Sequence, residues 1–198
     1  MTPRHPWPTL CAALALTAVL AQLPPPQVLD WQPTLATSEP WRALTAAFVH
    51  WTPLHLAANL AGCAALALLG ARAGLHTRES IAGLIALPLT QLGLLLRPDL
   101  QHYGGLSGEL HALAAIAALT LLTRQGSGPN RPIGAAIALG LVAKIALEHP
   151  LGPALRPTAG FDFPVAPFAH FSGALAGVVA WALTMACSSR MPRSPNGT

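Results

Sequence analysis

Long apolar runs alternate along this chain with short polar or proline-rich segments. A helix of about 20 apolar residues crosses the hydrocarbon core of a bilayer, and about 17 suffice where the bilayer is thin. Prolines mark several ends of these runs, since Pro24, Pro25 and Pro26 follow the first run and Pro98 follows the third. The pattern predicts six transmembrane helices, at residues 8–23, 53–70, 80–96, 107–123, 132–148 and 167–187.

The composition indicates that lipid is the solvent for these helices. Of the 198 residues, 53% are hydrophobic and 9% are charged, whereas about 25% of the residues in an ordinary soluble domain are charged. This composition excludes intrinsic disorder and argues against a soluble enzyme. We expect an all-α membrane protein in which residues 1–187 form a single bundle of six transmembrane helices and residues 188–198 form a short cytoplasmic tail.

The arginines predict the orientation, because cytoplasmic segments carry an excess of basic residues. With the N-terminus inside, three arginines fall in outer loops, namely Arg42, Arg97 and Arg156. Seven fall in cytoplasmic segments: Arg4, Arg72, Arg78, Arg124, Arg131, Arg190 and Arg193. Both termini are therefore expected to be cytoplasmic. The first run can alternatively be interpreted as a cleaved signal peptide, which leaves the remaining topology unchanged.

Neither the net charge nor the cysteines indicate a nucleic acid or a metal as partner. The net charge is +4, but the basic residues are scattered and no Lys/Arg block is interleaved with aromatic residues. Cys11, Cys63 and Cys187 lie in apolar runs and match no metal-ligand spacing. We expect no nucleic-acid binding and no metal.

Polar side chains are placed at one depth, near the outer face, by the predicted topology. His55 and Asn59 share one face of the second helix, because they are four residues apart. Ser107 begins the fourth helix, and His170 lies in the first turn of the sixth. Polar groups are costly to bury in a membrane, so such a cluster indicates a functional site.

The residues around Ser107 suit nucleophilic chemistry. A serine needs a base within hydrogen-bond reach, and His170 can supply one. The glycines beside Ser107 allow the backbone to approach a substrate closely, and the helix start offers unpaired N–H groups to an oxyanion. Gly173 and Gly177, small residues at a spacing of four, allow the sixth helix to approach the fourth.

The order and spacing of these motifs resemble the rhomboid family of intramembrane serine proteases. The resemblance runs from Trp41 to Gly177 and predicts a rhomboid-like core of about residues 41–187. It rests on four motifs: Trp41-Arg42; His50 followed by His55-Leu56-Ala57-Ala58-Asn59; Gly105-Leu106-Ser107-Gly108; and Ala169-His170-Phe171-Ser172-Gly173 with Gly177.

This resemblance implies a role for each matching residue. Ser107 would be the nucleophile and His170 the general base of a catalytic dyad. The groups that would support the oxyanion are His55, Asn59, Gly105 and Leu106. The resemblance also implies membrane-anchored protein substrates, no cofactor, and a lateral loop at Trp41-Arg42 that lies partly in the membrane interface.

Within the family, the segment from Tyr103 to His111, which reads YGGLSGELH, is most similar to the rhombosortase branch. Lys144 and Glu148 near the end of the fifth helix fit that branch too. The resemblance implies a bacterial enzyme of the inner membrane whose active site faces the extracytoplasmic side. Its substrates would carry C-terminal sorting tails made of a Gly-rich motif, a transmembrane helix and a basic end.

Several residues keep alternative interpretations. His111 lies one turn after Ser107 and can compete with His170 as the base or tune the site. His50 and Asn59 can serve packing and hydration as much as catalysis. Lys144 and Glu148 are four residues apart, so they form an internal ion pair, or else Glu148 and Glu109 line a water-filled cavity.

Other classes of function remain open at the level of sequence. His55, His111 and His170 could ligate a haem or a metal in a membrane redox protein, although no HExxH motif or cysteine pair is present. An inactive rhomboid relative that acts as a binding module is a third class. No acidic third member of the dyad is evident, and Asp162 is the candidate closest to His170 in sequence.

Overall fold

The computed structural model describes residues 5–124 and 129–189. Within these ranges the chain is helical, and six long helices lie close to the six predicted positions. They are α1 (Pro6–Leu20), α2 (Pro53–Ala73), α3 (Thr77–Gly93), α4 (Ser107–Thr123), α5 (Asn130–Glu148) and α6 (Pro167–Ser189). Arg4, Arg190, Arg193 and residues 190–198 of the predicted tail lie outside the described residues.

Four of the six helices are long and apolar enough to cross a membrane. They are α2, α3 with its 3-10 extension to Leu96, α5 and α6. The apolar helices α1 and α4 have 15 and 17 residues and are shorter than these four spans. The helical fold class is confirmed, while the count of six spans and the cytoplasmic termini stay predictions.

Helix α4 lies in the centre of the bundle. Its residues Ala112, Leu113, Ile116 and Ala117 are fully buried, and the helix packs against α2, α3, α5 and α6. A helix that is apolar on all sides is enclosed by protein or faces lipid, and α4 is enclosed by protein. The position of Ser107 at the start of α4 therefore places it at one end of the core.

Backbone contact between α4 and α6 is closest at two glycines. A Cβ atom built on Gly173 would lie 1.9 Å from the carbonyl oxygen of Gly108, and one built on Gly177 would lie 2.4 Å from that of Ala112. A side chain at either position would separate the helices. The close approach expected from these glycines is thus present, and it brings the start of α6 beside the start of α4.

Helix α5 is the least covered element. Only 6% of its apolar stretch is buried inside the protein. The helix packs chiefly against α4 and touches α6 little. Its one fully enclosed residue is Gly134, where an added Cβ would lie 2.8 Å from the carbonyl oxygen of Ala118. Most of the α5 surface is therefore free to face lipid or a bound segment.

The segment between α1 and α2 is fixed by a buried arginine. Arg42 is 4% exposed and donates to the carbonyl oxygen of Asp30 at 2.7 Å and to the carboxylate of Glu39 at 2.7 Å. A pair of backbone hydrogen bonds joins Trp31 to Tyr103. This segment thereby supports the residues that lead into α4.

Candidate active site

The turn before Ser107 depends on glycine. Gly105 has φ of 142°, and a Cβ atom built there would lie 2.8 Å from Nε2 of His55. Only glycine adopts this conformation and leaves this space without strain. The amide of Gly105 donates to the carbonyl oxygen of Ala46 at 3.0 Å, so the turn is held against the segment that precedes α2.

Tyr103 supports the same turn through its hydroxyl group, a role that the sequence interpretation had not assigned to it. Its hydroxyl donates to the carbonyl oxygen of Gly105 at 2.9 Å. Burial raises the pKa of Tyr103 to about 12, so the hydroxyl stays protonated and remains a donor. The turn carrying Ser107 is therefore fixed by both backbone and side-chain hydrogen bonds.

Ser107 and His170 lie within hydrogen-bonding distance. The distance from Oγ of Ser107 to Nε2 of His170 is 3.0 Å, and His170 is 5% exposed. Ser107 is the first residue of α4 and His170 lies in the first turn of α6. The geometry permits the hydroxyl to donate its proton to the imidazole.

The other nitrogen of His170 contacts a carboxylate that the sequence interpretation had not connected to it. Nδ1 of His170 lies 2.6 Å from Oε2 of Glu148, the last residue of α5. Lys144 binds the second oxygen of the same carboxylate. The predicted topology could have indicated this contact, because α5 ends on the side of the membrane where α6 begins, which places Glu148 and His170 at the same depth. Asp162 instead accepts a hydrogen bond from Thr52 at 2.7 Å.

His111 stacks on His170 rather than bonding to the serine hydroxyl. The two rings are 4.1 Å apart between centroids and tilted by 9°. Nδ1 of His111 lies 2.6 Å from the backbone carbonyl oxygen of Ser107, so this nitrogen donates. The contact of His170 with Oγ favours His170 over His111 as the base.

His55 and Asn59 line the same cavity as Ser107, and each has a side-chain nitrogen without a partner. Nδ1 of His55 and Nδ2 of Asn59 are buried and have no hydrogen-bond partner among the described residues. His55 also stacks on Phe163 with a centroid distance of 4.0 Å. No pattern in the sequence indicated that contact, because Phe163 lies in the long loop between α5 and α6. Unpaired buried donors are costly unless a ligand uses them.

Six of the predicted site residues line one cavity of 710 Å³. The cavity is bounded by α2, α4, α5 and the loop before α6, and the predicted residues in its lining are His55, Asn59, Ser107, His111, Glu148 and His170. Gly105 and Leu106 lie buried behind it, and Leu106 is fully covered. Lys144 and Glu148 form the ion pair, and both residues also line the cavity.

His50 and Glu109 do not reach the cavity. His50 is 4% exposed and packs edge-on against His55. Burial lowers the pKa of His50 to about 4, so its ring is neutral near neutral pH. Glu109 is 1% exposed, and neither of its carboxylate oxygens has a hydrogen-bond partner in the described part of the chain. The expectation that Glu109 lines the cavity is wrong, because its side chain is directed into the helix packing.

One group of potential metal ligands is found among residues 5–124 and 129–189. It consists of His111, Glu148 and His170, whose ligand atoms lie within 4.8 Å of one another. Both nitrogens of His170 already face Glu148 and Ser107. The nearly parallel rings of the two histidines also direct their nitrogens side by side rather than toward a common point. This arrangement favours a chain of hydrogen bonds over metal ligation.

The apolar helices indicate an integral membrane protein. At one end of the bundle lie a serine, an imidazole and a carboxylate, which are the groups of a serine hydrolase. The family model described as Rhomboid domain matches residues 37–187, and the chain belongs to the rhomboid family. Members of this family are generally intramembrane serine proteases, although some are inactive. No curated protein matches the chain.

Proposed function

We propose that this protein is an intramembrane serine endopeptidase in which Ser107 is the nucleophile and His170 the general base. The observation that carries the proposal is the 3.0 Å distance between Oγ of Ser107 and Nε2 of His170. An inactive rhomboid relative would not need this alignment. No cofactor takes part in the proposed reaction.

The reaction follows from the positions of the side chains. Oγ of Ser107 attacks the carbonyl carbon of the scissile peptide bond while its proton passes to Nε2 of His170. The oxygen of the tetrahedral intermediate becomes negative, and His55 and Asn59, which line the same cavity and each hold an unpaired side-chain nitrogen, are the proposed donors to it. His170 then gives the proton to the leaving amine, and water hydrolyses the acyl-enzyme with His170 again acting as base.

The cavity suits a segment that leaves a transmembrane helix. Its lining is largely apolar, with Leu110, Ala143 and Leu147 beside the polar groups. A peptide bond inside an intact helix hides its carbonyl and keeps its hydrogen bonds, so the substrate must unwind before attack. The proposed substrates are therefore membrane-anchored proteins with small, helix-destabilising residues at the cleavage site.

The finer assignment is to rhombosortase-like processing of C-terminal sorting tails near the outer face of the inner membrane. The motif from Tyr103 to His111 and the pair Lys144 and Glu148 support it. Such a tail ends in basic residues, which would remain on the cytoplasmic side while its Gly-rich segment reaches the cavity.

A single comparison tests the proposed activity. A fluorophosphonate probe should label the purified wild-type chain and fail to label Ser107→Ala, with a loss of at least about 10³-fold in cleavage of a tail substrate. Equal thermal unfolding of the two proteins shows that the fold is intact. Near wild-type turnover by Ser107→Ala would refute the protease.

A metal or haem protein is the second candidate, because His111, Glu148 and His170 form a compact ligand group. It predicts a different outcome for the same sample. A haem would give a visible absorption spectrum, and a required metal would make activity sensitive to chelators. An active enzyme without either property excludes this candidate.

A further inference from the structure

The carboxylate of Glu148 adds a third group to the serine and histidine. We propose that Glu148 positions His170 for catalysis, so that the site works as a chain of Ser107, His170 and Glu148. This inference rests on the proposed protease function. Its basis is the 2.6 Å contact between Oε2 of Glu148 and Nδ1 of His170.

Backbone contacts hold Glu148 in place although α5 is poorly covered. The carbonyl oxygen of Glu148 accepts a hydrogen bond from Nη1 of Arg156 at 2.5 Å. The guanidinium of Arg97 donates to the carbonyl oxygens of Pro150 at 2.9 Å and Gly152 at 3.0 Å. Two arginines thus anchor the end of α5 and the chain that follows it, which is required of a residue that must orient another.

Lys144 determines which oxygen of Glu148 faces the histidine. Its ammonium group donates to Oε1, which leaves Oε2 for His170. A donated hydrogen bond and a nearby positive charge both favour the ionised carboxylate. An ionised carboxylate can only accept, so Nδ1 of His170 must carry its proton.

The tautomer fixed in this way is the one that catalysis needs. With the proton on Nδ1, the lone pair of Nε2 faces the hydroxyl of Ser107 and can take its proton. The imidazolium formed in that step then carries its charge beside Glu148. Glu148 itself takes no proton, so the proton removed from Ser107 stays on Nε2 until it passes to the leaving amine.

Replacement of Glu148 by glutamine gives a sharper test than removal of the side chain. Because Lys144 can only donate, the amide oxygen of Glu148→Gln would face Lys144, and its NH₂ group would face His170. Nδ1 would then have to accept, which places the proton on Nε2 and blocks transfer from Ser107. In Glu148→Ala, water and the ammonium group of Lys144, which lies 3.5 Å from Nδ1 of His170, can both contact Nδ1, so both tautomers remain available.

The experiment measures fluorophosphonate labelling rate, turnover of a tail substrate and thermal unfolding for the full chain in liposomes. We expect turnover to fall about 10²-fold in Glu148→Ala and about 10³-fold in Glu148→Gln. The loss is smaller than the roughly 10⁴-fold loss caused by an amide in place of the buried aspartate of a Ser-His-Asp triad, because the Glu148 side chain is 23% exposed. Glu148→Asp, which keeps the charge, should retain more activity than Glu148→Ala.

A double variant that adds Lys144→Met to Glu148→Gln distinguishes a positioning role of Glu148 from a purely structural one. Without the lysine, the amide of Glu148→Gln can turn its oxygen toward Nδ1, so Lys144→Met combined with Glu148→Gln should be about tenfold more active than Glu148→Gln alone. Lys144→Met is also measured alone, so that the activity of the double variant is compared with that of both single variants. A purely structural ion pair predicts no such recovery.

Glu79→Gln is the matched control, because Glu79 is also a carboxylate bound to a basic side chain on a long helix. It accepts from Arg78 at 2.8 Å at the start of α3, and it does not line the cavity. This variant should unfold at a lower temperature and still label like wild type. It separates a loss of stability from a loss of alignment.

The outcomes distinguish this inference from the proposed function. If wild type is labelled and Glu148→Gln is labelled equally fast, Glu148 is not a positioning residue and the serine–histidine dyad stands. If Glu148→Gln and Glu148→Ala lose activity equally and Lys144→Met restores nothing, the inference is also wrong. If wild type is not labelled at all, the protease function itself fails.

Discussion

The site residues reach one another from separate helices, so each contact depends on where a helix begins or ends. Ser107 is the first residue of α4, His170 lies in the first turn of α6, and Glu148 is the last residue of α5. His111 is the exception, since it is on α4 itself and is held by the carbonyl oxygen of Ser107. This difference separates the expected effects of the two histidines.

His170→Ala should be nearly as damaging as Ser107→Ala, and the double variant should be no worse than either single one. The two groups act as one unit, so their effects do not add. His111→Ala should keep measurable activity because it does not contact the hydroxyl. Turnover of the four variants under one condition checks this, and the reverse ranking of the two histidines would move the base to His111.

His55→Ala and Asn59→Ala should each lower turnover by roughly 10²-fold if their free donors bind the oxyanion, as is typical for one such donor. Their unfolding temperatures should change less than their rates. The measurement is turnover per folded molecule alongside a melting curve. A change confined to the melting curve would make both residues structural.

The sequence predicted these single residues unevenly. Ser107, His55 and His170 could be proposed because each stands in a local motif that is visible without a fold, and the structure brings them to one cavity. The contact of Glu148 with His170 was missed, since it depends on the arginines that anchor the end of α5. The stacking of Phe163 on His55 was missed for a similar reason, because a proline-rich loop carries no periodicity that indicates its path.

At the scale of helices, hydropathy predicted the positions of the long helices well, because an apolar run in lipid must form its backbone hydrogen bonds within itself, as a helix does. The predicted and observed ranges of α4 agree at 107–123, and α2 and α6 begin at the expected residues. The short helices Pro26–Leu29 and Arg42–Thr45 were not predicted. They are too short for periodicity and depend on the buried Arg42.

Gly173→Ala should separate α4 from α6 and lower both stability and turnover. The added Cβ would lie 1.9 Å from the carbonyl oxygen of Gly108, closer than any real contact. Gly140→Ala is the control for helix propensity, since no atom of the described residues outside its own helix lies within 4 Å of its added Cβ. Thermal unfolding should show a large decrease for Gly173→Ala and no decrease for Gly140→Ala.

At the scale of the whole molecule, the site requires that α2, α4 and α6 all enter the membrane from the same side. His55, Ser107 and His170 lie in the first turn or at the first residue of these helices, and they line one cavity. The helices that intervene in sequence, α3 and α5, must then run in the opposite direction. This alternation is internally consistent, but it does not determine which side is cytoplasmic.

Reporter fusions determine the absolute orientation. Fusions after residues 75, 127 and 190 should read cytoplasmic, and fusions after residues 35, 100 and 158 should read extracytoplasmic, following the bias of the arginines. The opposite pattern would place the site on the cytoplasmic side.

The position of the substrate cut follows from the same topology. The cavity lies at the end of the bundle where α5 finishes and α6 begins, and Glu148 and His170 are in its lining. We expect the scissile bond where a transmembrane segment meets the outer surface, at small residues that can leave the helix and extend. Mass spectrometry of the released products locates the bond. A cut deep on the cytoplasmic side would contradict both the orientation and the assignment of Ser107, because no substrate carbonyl at that depth could reach its hydroxyl.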